Sequence, residues 1–242
     1  MISALTWPVS SVPGTIPAGE VHLWAWALEP AEADPSAHVA ILDSQELQRM
    51  RSFYFARDRD RYAVTHANLR RILGAYLNQP PQRVSLRADR LGKPELAQGD
   101  PLAFNLSHSR SIAVLAVTHG EPVGVDVEDV RPIEPEVAAR YFSAAELAAL
   151  DQLRGDAWLT GFYRCWTRKE AILKAEGVGL HRALDSFDVE LLGEETAALL
   201  ATREDFRYRW KLHHLTPAAG IIGALATAQP QARLRCFNFL SG

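Results

Sequence analysis

At 242 residues, with 48% hydrophobic and 23% charged side chains, the chain can form one large domain or two small ones around a real hydrophobic core. Its net charge of -3 excludes a polycation built for nucleic acid, and its longest apolar runs, such as Ile112–Val117 and Ala218–Ala226, are too short to cross a bilayer. Two cysteines, Cys165 and Cys236, form no C-x-x-C pair, which argues against a thiolate metal site and for a reducing compartment, the cytoplasm. The first residues (MISALTWPVSSVPG) lack a basic stretch ahead of an apolar one, so no signal peptide is expected.

After a Pro-rich lead-in, Val21–Leu28 alternates as a strand does. Asp43 and Glu46 have capping-box spacing and open a helix to about Tyr54. A longer helix is predicted from about Arg57 to Leu77, where Tyr62, His66, Leu69, Leu73 and Tyr76 share a face, and Pro80 and Pro81 end it. Short strands follow near Arg83–Arg87, Leu102–Leu106 and Ile112–Thr118. The second half opens with a strand at Pro122–Glu128. Ser143 and Glu146 repeat the capping-box spacing ahead of a helix through about Leu153. Another helix spans about Asp156 to Ala175, stopped by Gly177 and Gly179. Four strand-like segments close the chain: Ser186–Leu192, Phe206–His213, Gly220–Thr227 and Arg233–Leu240. This is an α+β pattern in two halves, with no repeat visible residue by residue.

Charge is unevenly spread. Between Arg49 and Arg71 seven arginines stand against Asp58 and Asp60, whereas Glu121 to Glu136 is acidic. Such a pairing suits an anionic ligand held partly by arginine and partly through a metal ion, though two solvated faces would look the same. In Gly124-Val125-Asp126-Val127-Glu128, strand alternation turns both acids to one side. Two neighbouring carboxylates repel unless a cation sits between them, and hard divalent ions want such oxygens. A wet acidic strand edge is the ordinary alternative. Glu170 and Lys174 lie four apart on one helix face, either as a surface ion pair or as a further oxygen ligand beside a phosphate-binding ammonium. Asn105-Leu106-Ser107-His108-Ser109 offers donors to an anion between two buried strands, or merely satisfies its own turn. Gly92-Lys93-Pro94 is a rigid turn with one cation.

Taken together, FNLSHS, GVDVE and WTRKEAILKAEGVGL, in this order and roughly this spacing, resemble the signature of the 4'-phosphopantetheinyl transferase superfamily. The stretch from Arg49 to Asp58 and the segment GKPEL resemble its basic first-half segment and its G-K-P turn. The match is closest to the long single-chain type typified by the surfactin synthetase activator. The resemblance runs from about residue 47 to about 190.

It implies two similar α+β halves, residues 1–119 and 120–242, related by a pseudo-twofold axis with coenzyme A in the cleft between them. The implied activity moves the phosphopantetheine arm of coenzyme A to a serine of an apo acyl, peptidyl or aryl carrier protein. Asp126, Glu128 and Glu170 would hold Mg²⁺, or Mn²⁺ in its place. Lys174 would meet the pyrophosphate, and Ser107 with His108 the coenzyme A phosphates. Arg49, helped by Arg51, Arg57 and Arg61, would receive the 3'-phosphate, and Lys93 with Pro94 would border the adenine. Catalysis would fall to Glu170, Lys174 and Asp126, with Glu170 as candidate base. A monomer is expected, since one chain supplies both sides of the cleft. The competing class is a non-catalytic module that binds coenzyme A or a carrier protein, which would need no acidic trio. A nucleic-acid binder using the arginine-rich helices is opposed by the net charge and by the lack of interleaved aromatics.

Overall fold

Two 21-residue helices and two four-stranded sheets organise the chain in a computed structural model. It describes residues 5–28, 35–97, 101–192, 196–197, 199–202, 205–229 and 231–240. The first four residues, on which the reading of the leader partly rests, lie outside these. Among the described residues no helix is long and apolar enough to cross a membrane.

In chain order, β1 (Glu20–Ala27) is followed by helices α1 (Pro35–Val39), α2 (Ser44–Arg51) and α3 (Ala56–Tyr76). A small hairpin comes next, β2 (Leu86–Ala88) with β3 (Pro94–Leu96), and then β4 (Leu102–His108) and β5 (Ile112–His119). The second half runs β6 (Val123–Asp129), α4 (Pro135–Tyr141), α5 (Ala144–Leu150) and α6 (Asp156–Glu176). It continues with β7 (Phe187–Val189), β8 (Thr196–Ala197), β9 (Leu199–Thr202), β10 (Lys211–Leu215) and β11 (Ile221–Thr227). The last strand, β12 (Arg233–Asn238), returns to pair in parallel with β1. The sheets read β12-β1-β5-β4 and β6-β11-β10-β8.

The halves repeat one design. Each begins with a strand (β1, β6) that pairs antiparallel with the second arm of a later hairpin (β5, β11). Each carries a capping box, Asp43 with Glu46 and Ser143 with Glu146, both formed as the spacing predicts. The box glutamate then reaches back to the long helix. Glu46 accepts from Arg70 Nε at 2.6 Å, and Glu146 pairs with Lys169 Nζ at 2.8 Å. Arg70 also donates to the Val84 carbonyl, and Lys169 to that of Leu184. A buried cation is tolerated only when its donors are satisfied, so these ties fix each helix in rotation as well as position.

One apolar cluster is shared by both sheets, drawing Val21, Leu23 and Ala25 from β1 and Val123, Val125 and Val127 from β6. The alternate residues face outward toward the long helices. On β1 these include Trp24 and Trp26, packed in the core under α3. On β6 the corresponding residues are Asp126 and Glu128. Gly124, just before them, lets β6 touch α6: a Cβ there would collide with the Ala171 carbonyl oxygen and the Ala175 nitrogen.

Several boundaries differ from expectation. The strand expected at Phe206–His213 begins only at Lys211. Phe206 instead packs edge-on against Phe187, with centroids 5.3 Å apart, and Tyr208 tilts against Trp210 at 5.4 Å. These aromatics fill a core rather than a pleat. The long helix ends at Tyr76 and leaves through Asn78 at φ +49°, ahead of the prolines. Helix α1 and strands β3, β8 and β9 were not anticipated.

Because the Gly124 contact is backbone against backbone, Gly124→Ala is expected to cost about 3 kcal/mol, as overpacking does. Urea unfolding of the two proteins measures it, and an unchanged midpoint would show that α6 need not touch β6.

Candidate active site

The sheets meet edge to edge where β4 runs beside β6, and side chains rather than ladder bonds join them. Asn105 Oδ1 accepts the Val125 N–H at 2.8 Å, and Ser107 Oγ accepts that of Val127 at 3.3 Å. Ser107 Oγ also donates to Asp126 Oδ1 at 3.0 Å. From α6, Lys174 Nζ donates to Asp126 Oδ1 at 2.7 Å and to Ser107 Oγ at 3.0 Å. The hydroxyl thus uses its one proton and both lone pairs.

Around this contact opens a cavity of about 550 Å³. Asp126, Glu128, Glu170 and Lys174 line it on one side, with His108 and Ser107 from β4. Its apolar wall includes Tyr141 and Trp166, which meet edge to face at 5.6 Å. A second cavity of about 470 Å³ shares His108 and Glu128 with the first. It is lined by Arg49, Arg61 and His66 from α2 and α3, and by Arg110. His66 is held with Nδ1 3.0 Å from Glu46 Oε1 and its ring stacked on Tyr62 at 4.0 Å.

Both halves of the chain match known sequences. The family described as the 4'-phosphopantetheinyl transferase superfamily matches residues 122–229, and that described as 4'-phosphopantetheinyl transferase, N-terminal, matches residues 25–120. The chain is 36% identical over 221 residues to the 4'-phosphopantetheinyl transferase HetI of Nostoc sp., spanning 88% of this chain and 90% of that protein. It is 31% identical over 194 residues to psf-1 of Bacillus pumilus, also a 4'-phosphopantetheinyl transferase (78% and 82%). Sfp of Bacillus subtilis, of the same description, is 29% identical over 153 residues (63% and 68%). The chain belongs to the 4'-phosphopantetheinyl transferase family.

In this transferase the structure brings Asp126, Glu128, Glu170, Lys174, Ser107 and His108 into one cavity, with Arg49 and Arg61 in the adjoining one. It does not bring in Arg57, exposed on the first turn of α3, or Arg51, exposed at the end of α2. Arg57 shares a helix face with Arg61 but stands one turn nearer the start of α3, and only Arg61 lines the second cavity. Lys93 and Pro94 line a separate cavity of about 300 Å³ beyond the end of α6. His66, Arg110, Tyr141 and Trp166 went unassigned in the sequence. Trp166 sits within the helix motif and His66 on a helix face that reads as core, while nothing marks Arg110 beyond its place after Ser107-His108-Ser109.

The electrostatics follow from crowding. Burial and then the neighbouring Asp126 carboxylate hold Glu128 up at about 7, with Lys174 opposing. Glu170 is raised by the same two causes in the same order. Burial, then the Lys174 ammonium, lowers His108, so its imidazole is neutral near pH 7. Asp126 Oδ2 is buried with no hydrogen-bond partner among the described residues. Three carboxylates with one orphaned oxygen fit a hard divalent cation. Among the described residues no three such groups are already gathered in metal-binding geometry. The Lys174 ammonium occupies the Asp126 oxygen instead.

A raised carboxylate pKa binds protons more tightly in the folded state, so its stabilising contribution is lost as pH rises from about 4.5 to about 7. Glu128→Gln is therefore expected to stabilise the metal-free protein at pH 8, by on the order of 1 kcal/mol after screening of a half-buried group, with the gain gone at pH 4.5. Thermal melts across that range check it. Equal melting temperatures at both ends would contradict the crowding.

Proposed function

We propose that this protein transfers the 4'-phosphopantetheine arm of coenzyme A to a serine hydroxyl of an apo carrier protein, releasing 3',5'-ADP. One observation carries the reading: in a chain of this family, Lys174 meets Asp126 and Ser107 beside Glu128 and Glu170, next to a basic cavity.

The two cavities suit the two ends of coenzyme A. Arg49 and Arg61 are suited to its 3'-phosphate, and their lining of the second cavity supports them over Arg51 and Arg57. Ser107, neutral His108 as donor and Lys174 are suited to the pyrophosphate. Asp126, Glu128 and Glu170 would hold Mg²⁺, or Mn²⁺ in its place, and that ion would supply neutralisation of the pyrophosphate charge. The apolar wall at Tyr141 and Trp166 is suited to the pantetheine chain or the carrier's serine loop. The division at residues 119/120 assigns the 3'-phosphate cavity mainly to the first half and the acids to the second.

In the reaction, the bond between the serine oxygen and the β-phosphorus forms as the bond from that phosphorus to the pyrophosphate bridging oxygen breaks. The serine proton passes to a base, for which Glu170 is the candidate, since burial and Asp126 raise its basicity. Lys174 neutralises the leaving phosphate of 3',5'-ADP. Such transfers depend on in-line placement and charge neutralisation more than on covalent help. Both cysteines are free thiols, which supports a reducing compartment, the cytoplasm. That one chain lines both cavities supports a monomer.

The purified protein, coenzyme A, Mg²⁺ and a set of apo acyl, peptidyl and aryl carriers would be mixed and the carriers weighed intact. A phosphopantetheine mass gain is expected, abolished by EDTA and slowed at least about a hundredfold by Asp126→Ala or Lys174→Ala. Coenzyme A binding without transfer to any carrier would favour the non-catalytic module, and unaffected variants would remove the assigned roles.

A further inference from the structure

Lys93 does not border the two cavities assigned to coenzyme A. It is presented by a stiff turn: Gly92 takes φ +89°, and the Asp89 carboxylate accepts the N–H groups of Leu91 at 2.8 Å and Lys93 at 2.9 Å. From this first-half turn the side chain crosses to the second half. Its Nζ donates to the Lys174 carbonyl at 2.6 Å and lies 3.4 Å from that of Val123. Lys174 belongs to the last turn of α6, whose carbonyls have no partner within the helix. Val123 opens β6. A cation suits the negative end of a helix, and the Asp89 and Glu95 carboxylates also favour the charge here.

We propose that Lys93 is a positioning residue for the transfer reaction, gripping the last turn of α6 and the start of β6 so that Lys174 stays aimed at Asp126. The inference rests on the reading of that cavity as the transfer site. Lys174 is held twice, by its carbonyl from Lys93 and by its side chain on Asp126 and Ser107. The same turn lies against β6 at Gly124 and unwinds past Gly177 in the left-handed region. A helix end frays when its terminal carbonyls lose their donors, and fraying here moves the ammonium that the reaction uses. The ligand-binding arginines sit on α2 and α3, apart from this contact, so they keep their places. Lys93 therefore acts through Lys174, whose ammonium meets the pyrophosphate and neutralises the leaving phosphate, so turnover falls further than coenzyme A affinity. Burial also lowers the Lys93 ammonium to about 8, and the contact itself is part-buried.

The test compares wild type with Lys93→Met, an uncharged side chain of similar reach, and with Asp89→Ala, which loosens the turn but keeps Lys93. Carrier loading by wild type is measured first, and its absence would fault the reading of the site rather than this inference. Given loading, Lys93→Met is expected to lower kcat about tenfold or more, as small misplacements do. Its coenzyme A Kd should rise by a smaller factor than kcat falls, and measurable binding also reports a folded protein. Amide exchange at residues 173–177 should speed up. Asp89→Ala should show the same split more mildly, and decides the matter if Lys93→Met does not fold. An unchanged kcat would overturn the proposal. So would a tenfold loss of coenzyme A affinity with kcat at saturation retained, which would make Lys93 a ligand.

Discussion

Three carboxylates and one ammonium share a half-enclosed cavity, and the rest of the fold serves to hold that imbalance in place. Burial first, and repulsion from Asp126 second, raise both Glu128 and Glu170. Left to relax, they would turn toward water. They stay because the strand and helix that carry them cannot move apart independently. Gly124 lets β6 touch α6, Glu146 and Lys169 lock the far side of α6, and Ser107 ties β4 to Asp126. Strain of this kind is ordinary at sites whose purpose is to receive a charged ligand.

The duplicated scaffold shows what the site costs. Where β1 turns Trp24 and Trp26 into the core beneath α3, β6 turns Asp126 and Glu128 into a cavity beneath α6. Burying the indoles stabilises the first half by the usual apolar transfer, whereas the carboxylates forgo it and add repulsion. Equivalent strand positions thus serve packing in one half and chemistry in the other, on the same frame. Strand β12 closes the chain onto β1, so the two halves share a sheet as well as a core.

Much of this was legible in the sequence because it follows local periods. Both capping boxes, the ends of α6 and the alternation of Val125, Asp126, Val127 and Glu128 depend on residues a few positions apart. The order of the motifs then pointed to the family more strongly than any single one. Long-range contacts were not legible. No local rule puts Lys93 against the Lys174 carbonyl, 81 residues away, or tells how far along α3 the second cavity reaches, which decides between Arg57 and Arg61 one turn apart. The aromatic run Phe206, Tyr208 and Trp210 alternates like a strand, yet tertiary packing claims it before Lys211. The repeat was invisible residue by residue because the two halves fill equivalent positions with opposite chemistry.

The central claim is that Asp126 and its neighbours couple a divalent cation to coenzyme A. Its most direct test is calorimetric titration of coenzyme A with and without Mg²⁺, in wild type and in Asp126→Ala. If the claim holds, Mg²⁺ tightens binding at least about tenfold in wild type and leaves the variant unchanged, a coupling of about 1.4 kcal/mol or more. An equal gain in both proteins would contradict it and move the cation elsewhere.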